Sequence, residues 1–107
     1  MLLAWLYLAA AISLEVTATL SLRSAGNGNL PALAVVVVGY VSSFALLFLV
    51  LRKLDVSVAY AVWSGAGTAV VAFIGIVALG ESSSPAKIAS LALIIVGVVG
   101  LNLSGAH

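Results

Sequence analysis

The sequence predicts an all-α membrane protein with four transmembrane helices, and three observations carry that reading. The chain is 64% hydrophobic and only 7% charged over 107 residues. A water-soluble domain needs a surface with about a quarter charged residues, so this chain cannot cover itself in water. Four apolar runs, at about 2–22, 31–51, 56–79 and 86–103, are each long enough to cross a ~30 Å hydrocarbon core at ~1.5 Å per residue. The breaks between them are short and rich in Gly, Asn, Ser, Pro and charge. Residues 1–107 are therefore expected to form a single four-helix domain in the lipid bilayer of a cell's inner (plasma) membrane.

The first span holds the feature around which the rest is organised. Glu15 is the one acid inside an apolar run, since Asp55 and Glu81 sit where the pattern breaks. A charge deep in the bilayer costs about 2.5–3.5 kcal/mol on insertion scales. The leucines of the same run, at about −0.3 to −0.6 kcal/mol each when central, roughly offset it. Leu8, Ala11, Ile12, Glu15, Ala18, Thr19 and Leu22 follow helical spacing and share one face. The small and hydroxylic members let another helix approach closely, so that face points into protein. A purely structural Glu15, neutral or paired with a polar neighbour, is the plain alternative. Arg and Lys cannot easily be its partner, because all lie at segment boundaries.

Ser24 through Leu30, with Gly26, Asn27, Gly28 and Asn29, reads as a turn-rich link. Pro31 suits the first turn of the second helix, which stops at Arg52-Lys53. Its run Val35 to Val38 is β-branched, but in lipid the length of the apolar stretch settles it as helix. Tyr40, Ser43, Phe44 and Leu47 give it one face of polar and aromatic character. Asp55 or Ser57 can cap the third helix. On that helix Tyr60, Trp63 and Gly67 share a face, and Gly65 and Gly67 permit a bend or close packing. Gly80, Glu81 and Ser82 to Ser84 form the last link, and Pro85 opens the fourth helix. That helix, with Ser90, Gly97 and Gly100 among branched aliphatics, reads as a packing element.

This inventory excludes most chemistry. The sole histidine is His107, so there is no nucleophile–base pair, and there is no metal-ligand cluster or phosphate-binding loop. An enzyme is not expected, nor a cofactor beyond the proton as coupling ion. Without cysteine there is no disulfide framework or soft-metal site, and a net charge of +1 gives no reason to expect nucleic acid. What remains is Glu15, the aromatics Tyr40, Tyr60 and Trp63, and the hydroxyls of Thr19, Ser43 and Ser64. A carboxylate with aromatic walls fits a lipophilic cation, through charge, apolar contact and cation–π attraction. Desolvation favours the neutral form of a carboxyl, so protons and organic cations can compete for one site, and that competition is sufficient for exchange. Four helices are too few to enclose such a site and alternate its access, whereas two copies supply both. A proton or cation channel would also use a midmembrane acid but would favour a polar lining, and a structural accessory subunit would need no titratable residue.

Orientation follows the Lys/Arg bias of short loops. The first and third links carry Arg23 and Lys87, and the opposite side carries Arg52 and Lys53. Two against two predicts insertion in both orientations.

Over essentially its whole length the chain resembles the small multidrug resistance transporters. The matching pieces are Glu15-Val16 with Thr19, Gly39-Tyr40, the run Ala59-Tyr60-Ala61-Val62-Trp63-Ser64-Gly65-Ala66-Gly67, Gly80-Glu81, and Leu91 to Val98. The resemblance implies an antiparallel, dual-topology homodimer that exchanges protons for cationic compounds. Glu15 would be the shared proton and substrate carboxylate, with Tyr40, Tyr60 and Trp63 lining the pocket. Segment four, through Leu91, Leu93, Ile94, Gly97 and Val98, would carry the dimer contact. The family has a multidrug (quaternary ammonium and aromatic cation) branch and a guanidinium branch. Thr17 and Ala18 stand where the guanidinium branch typically has Trp, and Thr19 and Tyr40 also look like the multidrug branch. Gly80-Glu81-Ser82 and Ala89-Ser90-Leu91-Ala92-Leu93 look closer to the guanidinium branch. Multidrug export is the favoured expectation and guanidinium export the alternative. The first link departs from the family, which usually has an aromatic and a basic residue before the proline.

Overall fold

The computed structural model describes residues 2–104; His107 lies outside them. The described residues form four helices and no strand: α1 (Leu2–Gly26), α2 (Leu30–Val50), α3 (Val56–Ala78) and α4 (Pro85–Leu103). All four are long and apolar enough to cross a membrane. The chain divides into two compact units, one of α1 and α2 ending at Leu54, the other of α3 and α4 beginning at Asp55.

Three of the four helices match the expected bounds within a residue, and α1 does not. Instead of ending near Leu22 it continues through Arg23 to Gly26, and the turn shrinks to Asn27, Gly28 and Asn29. Ser24 and Gly26 are only weak breakers, so the ladder continues until Gly28, whose φ of 91° no helix accommodates. The Asn29 side chain then accepts from Ala32 N–H at 3.0 Å, with Pro31 in the first turn of α2. At the far end of α2 the chain folds into a tight turn, Arg52 N–H donating to Leu49 and Lys53 N–H to Val50, pinned by the buried Leu54.

Asp55 occupies the N-cap position of α3, but its side chain makes no capping bond. The helix ends beyond Ala78, where Gly80 at φ 71° reverses the chain and Glu81 N–H donates to Gly75 C=O at 3.0 Å. Ser84 caps α4 by accepting from Lys87 N–H at 3.2 Å, ahead of Pro85.

Each unit is packed internally through small residues. In the first, Leu8, Ala11 and Ala18 of α1 and Gly39, Ser43 and Leu47 of α2 are buried. The backbones meet most closely at Gly39, where an added Cβ would stand 2.9 Å from Ala18 Cβ and 3.1 Å from Leu14 O. In the second, Gly65 lies under Val98 and Ile94, and Gly75 lies under the Glu81 carboxylate. Outward faces are apolar, Phe48, Phe73 and Leu93 being about two thirds or more exposed. In water that surface would drive association; in hydrocarbon it is the solvent-facing side, and the helices satisfy their own backbone groups.

Candidate functional site

Lengthening α1 moves Glu15 from two thirds of the way along the expected span to near the middle of the observed helix. One turn further on, Thr19 Oγ1 donates to Glu15 Oε1 at 3.1 Å. Across the seam, Tyr40 of α2 lies with its hydroxyl 2.7 Å from Thr19 Oγ1. A threonine hydroxyl has one hydrogen, and here it is directed at the carboxylate. Tyr40 therefore donates to Thr19, and the chain of bonds runs Tyr40 to Thr19 to Glu15. The second carboxylate oxygen, Oε2, is buried and has no hydrogen-bond partner among the described residues. An acceptor left unmade away from water is costly, more so when charged. It marks the place where a proton or a positively charged group would be most stabilised.

Of the seven residues expected in a proton and substrate site, Glu15, Thr19, Tyr40 and Ser43 lie in the first unit and Tyr60, Trp63 and Ser64 in the second. Glu15, Thr19 and Tyr40 form one continuous network. Ser43 is fully buried and donates to Ala11 C=O at 2.7 Å, a bond that ties α2 to α1 along the seam. Ser64 donates within its own helix to Tyr60 C=O at 2.7 Å, a habit that lets a hydroxyl sit in an apolar helix. Tyr60 and Trp63 stand edge to face, ring centroids 5.8 Å apart and planes at 88°, the arrangement favoured by aromatic quadrupoles. Tyr60 remains more than half exposed.

Of the two expected packing glycines, Gly67 is buried and Gly65 accepts the α4 side chains. The α4 residues that the resemblance assigns to a dimer contact divide. Leu93 is exposed and a Cβ on Gly97 would meet open space. Leu91 is half-buried. Ile94 and Val98 are turned onto Gly65 and pack inside their own unit, because a glycine there leaves a hollow that branched side chains fill. The close approach at Gly39 was not anticipated, although Gly39 and Ser43, four residues apart on a helix of large aliphatics, are the signal for it. No metal-ligating cluster occurs among the described residues.

A midmembrane acid held by a hydroxyl relay, in a chain of four spans, fits a multi-pass membrane transporter or channel. The chain belongs to the Small Multidrug Resistance protein family, whose model matches residues 3–94. It is 43% identical over 100 residues to a multidrug transporter of Pseudomonas aeruginosa, covering 92% of this chain and 91% of the relative. It is 42% identical over 103 residues to the guanidinium exporter of Escherichia coli K12, with 95% and 98% covered. To the multidrug resistance protein mmr of Mycolicibacterium paratuberculosis it is 44% identical over 105 residues, with 96% and 98% covered. Four spans and bacterial relatives of this kind make it a multi-pass protein of the bacterial inner membrane.

Proposed function

We propose that the chain is a proton-coupled antiporter that exports cationic, often aromatic or quaternary ammonium compounds, with Glu15 holding proton and substrate in alternation. The observation that carries this reading is the buried, unpartnered Glu15 Oε2. Oε1 is fixed by Thr19, so the carboxylate has one acceptor committed and one vacant, and the vacant one takes either a proton or a cation. Tyr40 and Thr19 hold the carboxylate in place through Oε1. The Tyr60–Trp63 pair offers ring faces to an organic cation. The working unit is an antiparallel homodimer. The even charge count on the two sides of the chain supports that assembly.

A second reading, export of guanidinium, is favoured by the 42% identity to a guanidinium exporter. A guanidinium N–H can donate to Oε2, which a quaternary ammonium cannot do. Flux in proteoliposomes under a pH gradient, comparing guanidinium with quaternary ammonium and planar aromatic cations, separates the two.

Glu15→Gln tests the core of the proposal. The amide keeps the shape and cannot release a proton, so gradient-driven uptake should vanish. The affinity for cation should become weak, because the amide carries no charge to meet it. Coupled transport at the normal rate in this variant would sink the assignment.

A further inference from the structure

Where α1 begins and α2 stops, a groove of about 390 Å³ is lined by Leu3, Ala4, Tyr7, Leu49, Arg52 and Lys53. Its volume falls within the ~300–1,000 Å³ of small-molecule sites, and its lining changes character along its length. Leu3, Ala4 and Leu49 belong to the spans, at hydrocarbon depth. Arg52 and Lys53 follow the last residue of α2, in the turn held by the backbone bonds to Leu49 and Val50. Both bases are exposed, and the ion pair found among the described residues, Lys87–Glu81, involves neither. The Tyr7 hydroxyl, on the groove wall, makes no hydrogen bond among the described residues.

The groove therefore presents two exposed cations at the end of the span, above a wall of apolar side chains and the Tyr7 ring. Its charge repels the cationic substrates proposed for Glu15, and its apolar wall favours an acyl chain over water. Basic pockets between membrane helices bind anionic headgroups, and Arg in particular grips phosphate oxygens. We infer that this groove binds an anionic phospholipid, its phosphodiester between Arg52 and Lys53 and the start of one acyl chain along Leu3, Ala4 and Leu49. The inference is independent of what Glu15 transports.

The test uses the purified full chain in detergent, with lipid counted per chain by native mass spectrometry. Phosphatidylglycerol should be retained on the order of tenfold better than phosphatidylcholine. Arg52→Gln with Lys53→Gln should abolish that preference, while Arg23→Gln should keep it. Leu49→Trp, which fills the groove and leaves both charges, should also lose the lipid. Soluble glycerol phosphate should not displace it, since it lacks the chain. Equal retention of the two lipids, a preference that survives the double substitution or the Trp, or displacement by glycerol phosphate would each overturn the proposal.

Discussion

Replacing Gly39 by alanine should disturb Glu15 without touching it. The new Cβ would lie 2.9 Å from Ala18 Cβ and 3.1 Å from the Leu14 carbonyl oxygen. Neither can swing away, one being a methyl fixed to its backbone and the other backbone itself. Carbon atoms at rest sit about 3.5–4.0 Å apart, so α1 and α2 must separate locally by about 0.7 Å. The same movement carries Tyr40, the next residue, away from Thr19. Their oxygens are 2.7 Å apart, and a further 0.7 Å takes them to about 3.4 Å, outside the ~2.5–3.0 Å of an O–H···O bond. Overpacking costs typically about 1–3 kcal/mol, and the lost bond about 0.5–1.5 kcal/mol. The second term reaches the site. If the relay stabilises the charged carboxylate, cation affinity should fall about twofold to tenfold. Tyr40→Phe should produce that fall with little loss of stability, and Gly39→Ala should produce both. Binding measured in detergent beside thermal unfolding reads the two effects separately. A Gly39→Ala protein with unchanged affinity would refute the argument that helix spacing sets the geometry at Glu15.

Two further outcomes are expected. Trp63→Ala should weaken large aromatic cations by about 1–2 kcal/mol, through lost cation–π and apolar contact, and guanidinium by less. Equal losses, measured by competition binding, would point to a packing role. Cysteines introduced into the links should label from both sides of the membrane, because Arg23 and Lys87 balance Arg52 and Lys53, and labelling from one side only would contradict the dual orientation.

Much of the fold was legible because a membrane leaves few choices. Length and apolarity fix four spans, and Pro31 and Pro85 mark two of their starts. The end of α1 was misread because Ser, Gly and Asn lower helix propensity without forbidding helix. What forbids it is a residue that needs positive φ, and of the two glycines in that link only Gly28 has one. At the site, the Thr19–Glu15 bond could be expected from four-residue spacing on one face. The Tyr40 bond to Thr19 could not, since nothing local specifies which turns of α1 and α2 lie side by side. For the same reason the bond from Ser43 to the Ala11 carbonyl is not legible in the sequence.

The small residues of the α1–α2 seam explain why the carboxylate is held firmly while the rest of the inventory is not. Ala11, Ala18, Gly39 and Ser43 are buried, and their value lies in how little volume they fill. They bring two backbones together, and one hydroxyl locks the register through Ala11 C=O. Tyr40 and Thr19 then meet because their helices must, with no flexible side chain in the support. Tyr60, by contrast, is more than half exposed, and its contact with Trp63 is ring edge to ring face. An exporter of the kind proposed for this chain, one that holds a proton at a fixed acid and accepts cations of varied shape, would need both kinds of construction. Backbone contact in this chain sits next to the acid, and adaptable aromatic surface lies on α3.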